Sequence, residues 1–358
     1  DTADYTGSEN RVYVTLFDGT GRLGDAAGDS LFSIENLAGS ANGDLLFGDG
    51  GRNALYGRAG NDTLGGGGDA DRLYAGDGND SLRGGLGGDL LAGGGGTDTA
   101  DYTGSENRVY VTLFDGTGRL GDAAGDSLFS IENLAGSANG DLLFGDGGRN
   151  ALYGRAGNDT LGGGGDADWL YAGDGDDRLI GGAKGDVLAG GSGVDTADYG
   201  NAGSRVYVKL FDGSGELGDA AGDKLYSIEN LSGSGHADLL FGDSGANTLT
   251  GRDGADVLGA GAGNDTLTGG TGDDQLNGGP GSDTFVFEPG TGSDTIVSWD
   301  DGFDLLDLSA FNFGSFSEID SRVQNETDGL SIDLASDSEV AILGLNPSNF
   351  DSNDVSWT

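Results

Sequence analysis

Every nine residues along much of this chain, an acidic or amide side chain returns, and an apolar residue follows two places later. The first run carries Asp44, Asn53, Asp62, Asp71, Asp80, Asp89 and Asp98, with Leu46, Leu55, Leu64, Leu73, Leu82, Leu91 and Ala100 behind them. A second run carries Asp141, Asn150, Asp159, Asp168, Asp177, Asp186 and Asp195, and a third Asp238, Asn247, Asp256, Asp265, Asp274 and Asp283. Neither a helix of 3.6-residue period nor a strand of period two accounts for such spacing. A short repeat unit that cannot bury an apolar face alone must stack on its neighbours, so the pattern predicts an array.

A longer period encloses the short one. Asp1-Thr-Ala-Asp-Tyr returns at Asp98 and, more diverged, at Asp195, and residues 1–71 are identical to residues 98–168. Changes gather beyond that point, with Arg72 answered by Trp169 and Arg83 by Ile180, the mark of a tandem duplication. The 97-residue period is not a multiple of nine, so the short register breaks once per long repeat. Three repeat units are expected: 1–97 with a spacer at 1–43 and a roll at 44–97, 98–194 with a spacer at 99–140 and a roll at 141–194, and 195–282 with a spacer at 196–237 and a roll at 238–282. Ile34-Glu-Asn-Leu37 re-enters the nine-residue register, since Glu35 lies nine before Asp44 and Leu37 nine before Leu46. Within the spacers, Arg11-Val-Tyr-Val-Thr-Leu-Phe alternates as a short strand and Gly-Asp-Ala-Ala-Gly-Asp reads as a turn. From Asp283 onward the tail holds 7 of the 15 Phe and 2 of the 3 Trp, which marks residues 283–358 as a terminal cap.

In Gly84-Gly-Leu-Gly-Gly-Asp89-Leu-Leu91-Ala, six turn-forming residues precede three that form a strand with its middle side chain inward. Two such nonapeptides make one turn of a coil, so strands eighteen residues apart stack at roughly 4.8 Å. Asp62 then lies beneath Asp80 and Asp71 beneath Asp89, an arrangement that is repulsive unless cations sit between the turns. The formal charge of −44, from 61 Asp and Glu against 17 Lys and Arg, repels nucleic acid and anionic membranes and gathers cations. With no Cys and one His, soft-metal sites are excluded, and oxygen-rich loops point to calcium before magnesium. Pairs of loop residues eighteen apart count to about fourteen Ca2+ ions, each carboxylate shared between the ion above and the ion below. No apolar run reaches the length of a membrane span.

The nonapeptides Gly66-Gly-Gly-Asp-Ala-Asp71-Arg-Leu73-Tyr, Gly269-Gly-Thr-Gly-Asp-Asp274-Gln-Leu276-Asn and Gly278-Gly-Pro-Gly-Ser-Asp283-Thr-Phe285-Val resemble the repeats of the RTX (repeats-in-toxin), haemolysin-type calcium-binding proteins. Departures are Asn53, Asn150 and Asn247 in place of Asp, and turns such as Gly57-Arg-Ala-Gly that lack the second glycine. The resemblance implies an all-β fold of tandem right-handed parallel β-rolls separated by short β spacers, with a C-terminal β-rich cap. Asp283-Thr-Phe-Val-Phe, Gly-Ser-Asp-Thr-Ile and Gly-Phe-Asp-Leu-Leu-Asp-Leu-Ser look like the segment that closes many RTX proteins and leads into an uncleaved type I secretion signal.

Other residues are read more plainly. His236 stands where the other copies have Asn42 and Asn139, a turn substitution. Asp25 and Asp29, repeated as Asp122, Asp126, Asp219 and Asp223, read as solvated turns, with an extra calcium site in each spacer as the alternative. Tyr5, Tyr13 and Tyr56 read as packing residues rather than a carbohydrate platform. No nucleophile with a base, metalloprotease helix or phosphate loop is present, so no enzyme is expected in this chain. The expected function is a secreted calcium-binding structural or adhesive module, such as a coat, S-layer-like or adhesin component. The competing expectation is the folding and secretion tail of an exported protease, lipase or alginate epimerase. Self-association and an extracellular partner both stay open.

Overall fold

A computed structural model describes residues 1–300, 302–335 and 337–357. The chain divides into two compact units, Asp1–Arg178 with Gly191–Gly193, and Leu179–Gly190 with Val194–Thr358. Each is built almost wholly of short β-strands. The single α-helix among the described residues is one turn long, Phe316–Asp320, and no described helix is long and apolar enough to cross a membrane.

In the first unit, parallel strands stack with the eighteen-residue offset that two nonapeptides per coil require. Leu37 lies opposite Leu55, Leu55 opposite Leu73, and Leu73 opposite Leu91 in one sheet. Leu46, Leu64, Leu82 and Ala100 follow one another in the second. All eight side chains are fully buried, so the core is a pair of leucine columns, one residue per nonapeptide. Burying one leucine contributes about 2 kcal/mol, comparable with the cost of ordering only one or two of the nine residues that deliver it. Apolar burial alone therefore leaves these turns underdetermined.

The spacer does not interrupt the stacking. Leu90–Gly95 takes Ser127–Phe129 as its next parallel neighbour, 37 residues on, and Thr99–Asp101 takes Asn133–Ala135, 34 residues on. Excess length folds into a hairpin, Tyr110–Thr112 against Thr117–Leu120, whose first strand then stacks in parallel on Leu142–Phe144. The extra residues thus bulge out while the ladder of backbone hydrogen bonds continues. Tyr5 is buried with its hydroxyl donating to Asp29 at 3.0 Å and Tyr13 meets Phe47 edge-on at 5.9 Å, whereas Tyr56 stacks on Tyr74 at 5.2 Å but stays 41% exposed rather than joining the core.

The second unit repeats the plan. Thr196–Asp198, Asn230–Ser232, Thr248–Asp253, Thr266–Thr271 and Thr284–Val286 form one parallel ladder, and Tyr207–Lys209, Leu239–Phe241, Val257–Gly259 and Gln275–Asn277 another. The cap extends both. Leu305–Asp307 stacks on Thr284–Val286, and Gly292–Ser298 continues from Gln275–Asn277. An antiparallel meander of Val323–Glu326, Gly329–Ala335 and Ser338–Leu343 then replaces the coil. Aromatic rings fill this end, with Phe285 beside Trp299 at 6.0 Å and Phe316 against Phe350 at 5.7 Å.

Candidate metal centre

The twenty acidic and amide residues of the nine-residue register are all buried, each at most 5% exposed. The coil places them in columns. Each side-chain oxygen accepts the backbone N–H of the residue one turn below: Asp44 N–H to Asp62 Oδ1 at 2.6 Å, Asp62 to Asp80 at 2.7 Å, and Asp80 to Asp98 at 2.9 Å. On the opposite side run Asn53 to Asp71 and Asp71 to Asp89, both at 2.8 Å. The second copy gives Asp141 to Asp159, Asn150 to Asp168 and Asp159 to Asp177. In the second unit the pairs are Asp238 to Asp256, Asp256 to Asp274, Asn247 to Asp265 and Asp265 to Asp283. Asp186 and Asp195 open the shorter columns there.

The second carboxylate oxygen is what distinguishes the roll interior. Oδ2 of Asp62, Asp71, Asp80, Asp89, Asp98, Asp159, Asp256, Asp265, Asp274 and Asp283 is buried and accepts no hydrogen bond among the described residues. An isolated buried anionic oxygen costs several kcal/mol unless a cation or donor meets it. Without a cation beside them, burial pushes the carboxyls of Asp62, Asp71, Asp159 and Asp256 up to about 7 and those of Asp98 and Asp274 to about 6, against the N–H donors that pull them down. Carboxylates one turn away add repulsion, Asp80 and Asp44 acting on Asp62.

Backbone oxygens converge on the same places. Beside Gly57 Cα, Asp62 Oδ2 and the carbonyl of Ala75, one turn on, border a space that a Cβ would fill, at 2.6 Å from the carbonyl oxygen. Gly66 sits likewise between Asp71 Oδ2 and the Gly84 carbonyl, at 2.7 Å, and Gly154 between Asp159 Oδ2 and the Ala172 carbonyl, at 2.7 Å. Among the described residues no three acidic or histidine side chains converge, so an ion held here draws on backbone carbonyls for most of its sphere. Carboxylate plus carbonyl oxygens in a glycine loop fit a large hard dication, calcium, and would hold it between successive turns.

The column starts are built differently. Asp44 Oδ1 accepts the Val12 N–H at 2.7 Å and the Ser40 hydroxyl at 3.0 Å, and its Oδ2 accepts the Ser40 N–H. Asp141 and Asp238 repeat this with Val109 and Ser137, and with Val206 and Ser234. Asn53 Oδ1 accepts the Asp49 N–H at 2.8 Å while its Nδ2 donates to the Glu35 carbonyl at 2.9 Å, and Asn150 and Asn247 do the same with Glu132 and Glu229. An amide suits this place because a carboxylate oxygen would face the Glu35 carbonyl with no proton between them.

The columns have six further members, of which Asp126, Asp223, Asp294 and Asp304 escaped the nine-residue count, while Glu132 and Glu229 lie nine before Asp141 and Asp238 as Glu35 lies nine before Asp44. Asp126 and Asp223 are not solvated turns: they are buried and their Oδ1 atoms accept the N–H groups of Asp89 and Asp186 at 2.8 Å. Each holds a buried tyrosine hydroxyl on Oδ2, Tyr102 at 3.0 Å and Tyr199 at 2.9 Å. Asp29, at the start of the chain, is exposed. Glu132 and Glu229 accept the N–H groups of Asp98 and Asp195, and Asp294 and Asp304 of the cap accept those of Asp274 and Asp283. All six are followed two residues later by an apolar side chain, which is the signal that survives when the spacing changes.

The turns impose a conformational test. Arg58 takes φ +89° where most repeats place the second glycine, a costly region for any residue with a Cβ. Arg58→Gly should stabilise the calcium-loaded protein by about 1 kcal/mol, whereas Gly57→Ala should cost about 1–3 kcal/mol by driving Asp62 Oδ2 and the Ala75 carbonyl apart. Urea unfolding at saturating calcium reads both, and two shifts of the same sign would contradict this geometry.

No curated protein matches the chain. Among solved structures it is similar to the extracellular lipase LipA from Serratia marcescens at 22% identity and a TM-score of 0.31, with 59% of this chain aligned to 40% of that one. The chain therefore covers less than half of the lipase. Residues 33–64, 65–100, 135–170, 171–202, 232–267 and 259–296 match the RTX calcium-binding nonapeptide repeat (4 copies), and together these segments span more than half of the 358 residues. The chain belongs to the RTX calcium-binding nonapeptide repeat family, and the buried aspartate columns are where its calcium-binding repeats lie.

Proposed function

We propose that this protein is a secreted structural or adhesive module that is unfolded at the calcium level inside a cell and is ordered by calcium outside it. The observation that carries the reading is the run of buried aspartates, such as Asp62, Asp71 and Asp159, whose Oδ2 atoms accept no hydrogen bond among the described residues and lie next to carbonyls of the following turn. About fourteen ions, held by the interior Asp residues of the three rolls and shared between turns, would account for most of the charge excess. The organisation we infer is three repeat units, 1–97, 98–194 and 195–282, closed by the cap at 283–358. Near-identical tandem copies suit a module that spaces or displays other parts, since adding a copy lengthens a spacer without disturbing any single active centre.

Affinity tests the reading. Calcium sites of extracellular modules lie near 10⁻⁴ to 10⁻³ M. A titration of the full chain followed by circular dichroism should place its folding midpoint in that range, far above cytosolic calcium. A midpoint below a micromolar would have the chain fold before export, and the secreted reading would fail.

A further inference from the structure

The spacers are not only connectors. We propose that each completes a further calcium site with the last aspartate of the column before it: Asp98 with the Ser130 carbonyl and Glu132, and Asp195 with the Ser227 carbonyl and Glu229. Ser130, Glu132, Ser227 and Glu229 all lie outside the segments that match the nonapeptide repeat. The inference rests on the reading that the interior columns hold calcium and extends it to residues of another sequence type.

Asp98 is fully buried, and its Oδ2 accepts no hydrogen bond among the described residues. Beside Gly93 Cα, that oxygen and the Ser130 carbonyl border one small space, as Asp71 Oδ2 and the Gly84 carbonyl do beside Gly66. Ser130 supplies its carbonyl from a φ of +49°, a left-handed conformation unusual for serine, and Ser33 and Ser227 repeat it at +55° and +49°. Glu132 stands in for the next aspartate of the column. Its Oε2 accepts the Asp98 N–H at 2.8 Å, the role Asp98 Oδ1 plays for Asp80 at 2.9 Å. The N–H groups of Glu132 and Asn133 both donate to the Asp98 carbonyl, at 3.1 and 2.9 Å, which fixes the spacer strand over the site.

The second unit has the same parts. Asp195 Oδ2 and the Ser227 carbonyl flank Gly190, and the Asp195 N–H donates to Glu229 Oε2 at 2.8 Å. Two carboxylates and a carbonyl from adjacent turns are a calcium donor set, with water completing the sphere. The neighbouring column gives the contrast. There Asp126 Oδ2 already accepts the Tyr102 hydroxyl, so the spacer closes one column with a hydroxyl and the other with an ion.

The test counts calcium bound to the full chain at saturation, by equilibrium dialysis with metal analysis, in Asp71→Asn and in the double variant Glu132→Gln, Glu229→Gln. Glutamine keeps an oxygen for the Asp98 and Asp195 N–H groups and removes only the charge. Loss of about one ion or more in Asp71→Asn, and of about two in the double variant, is the expected result. An unchanged count in the double variant, with Asp71→Asn diminished, overturns the spacer sites alone. If neither count falls, the interior columns do not hold calcium and the broader reading fails with them. A measurement on the unaltered protein guards against a variant that does not fold. By hydrogen exchange during a calcium titration, the amides of Glu132 and Asn133 should gain protection together with those of Asp62 and Asp71. Protection already complete in chelator would overturn the proposal.

Discussion

Removing calcium with a chelator is expected to abolish the strand signal of the rolls, and calcium, but not magnesium at equal concentration, is expected to restore it in one cooperative step. The reason is local. The nonapeptides of Asp62, Asp71, Asp80 and Asp89 each bury one leucine and place in the interior one anionic oxygen that has no hydrogen-bond donor among the described residues. Without an ion, glycine-rich turns lose more entropy on ordering than a single leucine returns, and the stacked carboxylates repel one another. With calcium at a hundred times its dissociation constant, each site contributes about 2.7 kcal/mol, and sites that share a turn add up along the column. Magnesium holds its water too firmly for carbonyls to replace it. Circular dichroism in chelator, then magnesium, then calcium reads the outcome. A strand signal that persists in chelator would mean that calcium decorates a fold already formed.

Protons should substitute for calcium in part. The carboxyls of Asp62, Asp71, Asp159 and Asp256 rise by burial from an ordinary 3.8 to about 7. A group whose folded pKa lies above its unfolded value stabilises the fold fully below the unfolded value and loses that contribution as pH climbs through the folded one. In chelator, then, residual strand content should be greatest near pH 4 and vanish between about pH 6 and 8. A pH titration in chelator that shows more structure at pH 8 than at pH 4 would contradict the burial of these groups.

Much of this was legible in the sequence, for a physical reason. A solenoid maps sequence offset onto neighbour directly, so a nine-residue period gave the strand spacing, the leucine columns and the aspartate columns without any long-range inference. Leu37 and Glu35 were found for the same reason, since they keep the register. What hid was whatever changed the offset. Ser127–Phe129 stacks 37 residues beyond Leu90–Gly95, and the cap strand Leu305–Asp307 stacks 21 beyond Thr284–Val286. Asp126, Asp223, Asp294 and Asp304 therefore fell outside the count although each sits in a column. The different fates of Asp44 and Asp62 were also invisible. Both precede a Leu at the same distance, yet Ser40 satisfies both oxygens of Asp44 while Oδ2 of Asp62 accepts no hydrogen bond among the described residues, a matter of what the turn above and below presents.

Deleting residues 287–358 is expected to unfold the adjoining end of the last roll at calcium concentrations where the full chain is folded. The cap supplies the last rung on both sides. Leu305–Asp307 pairs with Thr284–Val286, and Thr295 and Ile296 pair with Gln275 and Leu276. Its removal would bare Leu276 and Phe285, both fully buried, each losing about 2–3 kcal/mol of burial. It would also take Asp294 from the Asp274 N–H and Asp304 from the Asp283 N–H, so the two uppermost carboxylates would lose the turn that closes over them. Turns of a solenoid are stabilised by their neighbours, so the loss should pass down the ladder from Asp283 toward Asp238 and fade with distance. Hydrogen exchange across a calcium titration resolves this: amides of 266–286 should need several-fold more calcium for protection, while those of Ala54–Asp77 should not change. If the truncated chain protects 266–286 at the same calcium concentration as the full one, the aromatic cap contributes nothing to the roll it covers.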